Sequence, residues 1–119
     1  MGMSTVNDMS SLDPSVIRAW VYVLCLAGDR YYVGVSKELN RRLEEHWSGA
    51  GSRWTKEHPP VDVVTLHRCE GSGADVTALE KRVTLELMRR CITPDDPEGW
   101  RRVRGGPYTK LDMCKPRDL

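Results

Sequence analysis

Five side chains stand out by type and spacing: Tyr22, Tyr32, Arg42, His46 and Glu80. Phenols, a guanidinium, an imidazole and a carboxylate are groups that can bind anions, move protons or ligate a hard cation. Arg42 and His46 are four residues apart, so on a helix they share a face. Beside that face run Leu39, Leu43 and Trp47, so Arg42 and His46 are expected to rim the core without entering it. Glu80 follows Leu79 at the edge of another apolar stripe, where a carboxylate is either solvated or held for a purpose. Each also has an ordinary role. Strand tyrosines pack, Arg42 can pair with Glu38 or Glu45, His46 can serve a helix C-terminus, and Glu80 can pair with Lys81.

The elements that must position these groups read clearly from the pattern. Residues 20–26 are rich in β-branched and aromatic side chains and predict a strand. Ala27, Gly28 and Asp29 turn the chain, and residues 30–35 return as a second strand, making a hairpin that carries Tyr22 and Tyr32. Ser36 is a suitable N-cap for a helix over 37–47. Residues 48–60, with Gly49, Gly51, Pro59 and Pro60, predict a loop, and Gly49-Ala50-Gly51-Ser52 lacks the Lys of a phosphate-binding loop. A third strand is expected over 61–67. A long helix capped by Ser72 or Asp75 follows to about Cys91, with Val76, Leu79, Val83 and Leu87 as its stripe. Residues 99–108 read as irregular or a short strand. The order ββαβα plus a C-terminal excursion predicts an α/β fold, a compact sandwich of a small, mainly antiparallel three-stranded sheet flanked by helices.

At 119 residues the chain suits one domain, with 1–17 a mobile polar tail and 18–119 the folded part. Cys25, Cys69, Cys91 and Cys114 contain no CxxC pair, so zinc-site spacing is missing, and the four read as reduced thiols. His67 and Cys69 alternate on a strand, which favours a structural role over a metal pair. No apolar run approaches the ~18 residues of a membrane span. With no signal peptide, the reduced thiols read as a cytosolic setting, and the expected location is intracellular, cytoplasmic or nuclear. Net charge is only +1, but ten Lys or Arg face six Asp or Glu from Lys81 onward. Arg89, Arg90, Arg101, Arg102 and Arg104 crowd one short stretch, readable as a phosphate-facing patch or as plain solvated surface.

The stretches Trp20-Val21-Tyr22 and Tyr32-Val33-Gly34 resemble the paired motifs of GIY-YIG nucleases, with Trp where the name has Gly. The resemblance continues through residues 35–46, with Arg42 and His46, to Ala78-Leu79-Glu80. It implies a divalent-metal-dependent endonuclease acting on DNA. Alternatively, it implies a catalytically weak nucleic-acid-binding module, or a nuclease subunit that needs a partner protein for target recognition. Glu80 would be the sole protein ligand of Mg²⁺ or Mn²⁺, with water and phosphate oxygens completing the sphere. Arg42 would clamp a phosphate oxygen. Tyr22 or Tyr32 would orient the attacking water, with His46 competing as general base. Gly34 would be structural. Many members carry an Asn beyond the second helix; here residues 101–108 hold none, and Arg102 or Arg104 stands in its place. The substrate would pass between residues 48–56 and 101–104, with Arg53, Lys56, Arg101, Arg102 and Arg104 flanking the scissile phosphate.

Overall fold

The structure, a computed structural model, describes residues 16–110 and 113–119. Residues 1–15, most of the expected tail, lie outside the described residues. Strand β1 (Ile17–Leu26) already pairs at Ile17 and runs into β2 (Arg30–Ser36) through the expected turn. Gly28 and Asp29 take left-handed backbone there, φ 78° and 56°. Asp and Gly tolerate that conformation, and it matches the twist of the two strands. Strand β3 (Pro60–Gly71) pairs with the other side of β1, antiparallel and with bulges near Leu24 and Leu26.

The expected three-stranded, mainly antiparallel sheet is corrected to a mixed sheet of four strands, ordered β3-β1-β2-β4. The addition is β4 (Val103–Gly105), parallel to β2 through Tyr31↔Val103, Tyr32↔Arg104 and Val33↔Gly105. Three residues are too few for an alternating pattern to show. Their pairing depends on the return of the chain after the long helix. That return is tight: a side-chain carbon at Gly99 would collide with the Cys91 carbonyl. The 3-10 turn Gly99–Arg102 then buries Trp100 against that helix.

Strand alternation divides the side chains between two faces. Val21, Val23 and Val33 point toward the long helix, with Leu85, Met88, Trp100 and Val103. Tyr22, Leu24 and Leu26 point to the other face, packed with Tyr32, Leu39, Leu43, Trp54 and Val63.

Helix α1 spans Leu39–Trp47, and Ser36 Oγ accepts the Glu38 N–H (3.0 Å) just ahead of it. A further helix, α2 (Arg53–Glu57), interrupts the expected 48–60 loop. Five residues give no periodicity, but Ser52 caps it by accepting the Thr55 N–H, and Arg53 pairs with Glu57 at 2.9 Å. The long helix α3 (Gly73–Cys91) starts in a capping box, where Ser72 Oγ accepts the Asp75 N–H and Asp75 Oδ2 the Ser72 N–H. Its most buried residues are Val76, Thr84, Leu85 and Met88, whereas the expected Leu79, Val83 and Leu87 are only partly buried. The C-terminal excursion covers a flank of α3 and rotates its buried face. Edge strand β3 leaves Val61 and Leu66 exposed. No helix among the described residues is long and apolar enough to cross a membrane.

Candidate active site

Tyr22 and Tyr32 lie on one face of the hairpin because Tyr22 pairs with Gly34 and Tyr32 with Leu24. Their rings are 6.2 Å apart between centroids. A side-chain carbon at Gly34 would overlap the Tyr22 hydroxyl and the Tyr32 ring, so the absence of one is what lets the two phenols meet.

Helix α1 crosses this face and lowers His46 onto both rings, at centroid distances of 5.6 Å from Tyr22 and 5.2 Å from Tyr32. The expectation that His46 only rims the core is corrected. His46 is fully buried, while Trp47 is 46% exposed. The buried stripe is Leu39, Leu43 and His46, rather than Leu39, Leu43 and Trp47. One residue of rotation exchanges the two rings, and only the sheet beneath decides between them. Arg42, one turn earlier, is at the rim and pairs with Glu45 at 3.0 Å.

His46 Nε2 lies 2.7 Å from the Tyr22 hydroxyl, and its Nδ1 lies 3.0 Å from Thr55 Oγ1. Thr55 is buried in α2 and donates its own hydroxyl to the Ser52 carbonyl at 3.0 Å. Neither imidazole nitrogen is left for solvent. Burial, helped by the Arg42 cation, pushes the His46 pKa down to about 4, so the ring is neutral at ordinary pH. Burial also raises Tyr22, and the Tyr32 and Glu80 charges add to this against Arg42. Tyr22 is therefore a neutral phenol. Burial would lower Arg42, but the Glu45 carboxylate and the Tyr22 hydroxyl outweigh it and keep the guanidinium charged.

Glu80 comes from α3, on the far side of the sheet. Strand β4 stops opposite Val33, and Gly106 turns there against the Glu80 side chain. The Glu80 side chain thus lies against the turn that ends β4, and its charge adds to the rise of the Tyr22 hydroxyl. It is half-buried and raised by desolvation, with the Gly106 N–H pulling the other way. It forms no ion pair among the described residues. A partly desolvated carboxylate with no cationic partner fits a hard divalent cation. Among the described residues no three His, Cys, Asp or Glu cluster as a metal cage.

The expected phosphate-facing cations divide. Arg53 and Lys56 are exposed on α2. Arg101 pairs with Glu98 (3.4 Å) and covers the Trp100 ring, and Arg102 pairs with Asp96 (2.6 Å). Arg104 is corrected to an interior position: it is 6% exposed and stacked on Trp54 at 4.4 Å. Trp54 in turn donates Nε1–H to the Tyr31 carbonyl (3.0 Å), tying α2 to the sheet. Thr55 was hidden in sequence because its helix was. The available signal was Ser52 three residues ahead, an N-cap after Gly51. A cavity of about 260 Å³ lined by Val23, Thr65, Leu79, Arg82 and Leu87 lies on the opposite face and includes none of the five side chains.

The family model of the GIY-YIG catalytic domain matches residues 18–87. The chain is 35% identical over 52 residues to a UPF0213 protein of Xanthomonas axonopodis pv. citri, covering 43% of this chain and 51% of that one. To a UPF0213 protein of Natronomonas pharaonis it is 34% identical over 71 residues, 60% of this chain and 80% of the other. A UPF0213 protein of Streptococcus pneumoniae is 36% identical over 73 residues, 61% and 71%. The chain spans about half the length of the first curated relatives it matches. No solved structure matches.

Proposed function

The chain belongs to the GIY-YIG catalytic-domain family, and on that basis we propose that it is an endonuclease hydrolysing phosphodiester bonds in DNA with a divalent cation, Mg²⁺ or Mn²⁺. The observation that carries this reading is the 2.7 Å contact between the Tyr22 hydroxyl and a buried, neutral His46. A phenol raised by burial is no preformed base. With its hydrogen held by His46 Nε2, it keeps an oxygen lone pair free to accept a hydrogen bond from the attacking water and orient it. His46 then acts only through Tyr22, since its other nitrogen faces Thr55.

In this reading Tyr22 holds the attacking water, and Tyr32 beside it narrows the orientations open to that water. The Arg42 guanidinium, at the rim, spans two oxygens of the scissile phosphate and neutralises charge as the fifth oxygen bonds to phosphorus. Glu80 would hold the cation, which when bound supplies Lewis-acid stabilisation of phosphate and leaving oxygen. Lys56, and Arg53 on release from its pair with Glu57, would steer the backbone without reading bases.

A second reading, a nuclease subunit that needs a partner for target recognition, is favoured by one observation. Arg101 and Arg102 are already paired within the chain and Arg104 is buried. That face therefore offers DNA little free charge. Cleavage of plasmid and branched DNA by the purified chain with Mg²⁺ or Mn²⁺, and none with EDTA, is expected from the first reading. DNA that stays intact under all these conditions overturns it in favour of the second.

A further inference from the structure

We propose that Thr55 is a positioning residue that sets the tautomer of His46, so that Nε2 carries a lone pair aimed at Tyr22. The inference rests on the nuclease reading for its catalytic consequence, but the tautomer itself does not.

The hydrogen count favours one assignment. A threonine hydroxyl has one hydrogen. Three acceptors lie within its reach: the Ser52 carbonyl at 3.0 Å, Ser52 Oγ at 3.2 Å and His46 Nδ1 at 3.0 Å. Spent on Ser52, inside the cap of α2, it leaves Thr55 Oγ1 a lone pair for His46, and the atom facing that lone pair is then an Nδ1–H. A neutral imidazole carries one N–H, so Nε2 is left as acceptor for the Tyr22 hydroxyl at 2.7 Å. The chain of donors runs one way: Tyr22 O–H to His46, His46 N–H to Thr55, Thr55 O–H to Ser52.

In the opposite tautomer Thr55 would turn its hydrogen to Nδ1 and an Nε2–H would face the phenol oxygen, so the Tyr22 hydrogen would lose the acceptor it has in His46. Tyr22 is 1% exposed, and among the described residues no other acceptor lies at hydrogen-bond distance from its hydroxyl. Gly51 closes the remaining side. A side-chain carbon there would run into His46 Nδ1 and crowd Thr55 Oγ1, so the glycine lets α2 approach the imidazole closely enough for the contact. The turn between α1 and α2 thus serves as a socket for one ring.

Nitrogen NMR of His46 in the full chain near pH 7 tests the assignment without DNA or metal. The Nδ1–H form is expected; an Nε2–H form in the wild-type chain overturns the proposal whatever the activity. Thr55→Val keeps the shape and removes the acceptor. It is expected to leave a tautomer mixture at His46 and to lower kcat about 10–100-fold, by analogy with residues that orient metal-bound histidines, with KM little changed. Thr55→Ser, which keeps the hydroxyl, is expected to restore both. A Thr55→Val chain that retains the pure Nδ1–H form also overturns the proposal. If Thr55→Val fails to fold, the wild-type spectrum and Thr55→Ser still decide. A chain that shows the Nδ1–H form yet cuts no DNA would count against the nuclease reading and leave the tautomer assignment standing.

Discussion

The Tyr22 hydroxyl and His46 Nε2 stand 2.7 Å apart, 24 residues distant in sequence, with 1% and 0% of their respective surfaces exposed. A hydrogen bond so enclosed makes the protonation of His46 a matter of stability as well as of chemistry. Its folded pKa, about 4, lies below the ordinary 6.5. Between those values the unfolded chain takes up a proton that the folded chain refuses, so stability falls as pH drops from 6.5 toward 4 and levels off below. Urea midpoints compared across this window should slope downward toward acid, and more steeply than in His46→Gln. Equal slopes for the two chains would remove His46 as the cause.

Glu80→Ala should fold as the parent does, because the residue makes no ion pair among the described residues and its carboxylate is already partly desolvated. Divalent-dependent cleavage should fall by orders of magnitude. Activity within a few-fold of the parent would show that the cation is held elsewhere.

Arg42→Lys preserves charge but not the planar fork that can span two phosphate oxygens. Turnover is expected to drop severely while DNA affinity changes little, the pattern of an interaction made mainly in the transition state. Affinity that falls in proportion to rate would instead make Arg42 a plain phosphate anchor.

At Gly34 the constraint is space, since an added methyl would meet the Tyr22 and Tyr32 rings. Gly34→Ala should cost about 1–3 kcal/mol from overpacking and uncouple Tyr22 from His46. Chemical denaturation together with the His46 nitrogen spectrum reads both effects. An unchanged midpoint would mean that the hairpin yields without consequence.

Replacing Arg53 and Lys56 together with Ala should lower the salt slope of DNA binding by about one for each phosphate that the variant no longer neutralises. Both are exposed on α2, next to the His46 socket. If the slope stays the same, DNA approaches from another side.

The features legible in the amino-acid order are local ones. Strand propensity and the Ala27–Gly28–Asp29 turn specified the hairpin that pairs Tyr22 with Gly34. Ser72 and Asp75 specified where the long helix starts. The 3.6-residue repeat placed Arg42 and His46 on one helical face. Features that depend on partners far along the chain took shape only in the folded molecule. His46 rather than Trp47 is buried because the sheet, not the helix, chooses which side of α1 faces inward. The strand Val103–Gly105 exists because α3 and the tight turn at Gly99 bring it beside β2. Arg104 reads as a surface cation until Trp54 stacks on it. Thr55 becomes a partner of His46 only because a five-residue helix forms inside what reads as a loop. Periodicity reports on one element at a time, whereas burial and hydrogen-bond pairing are settled between elements.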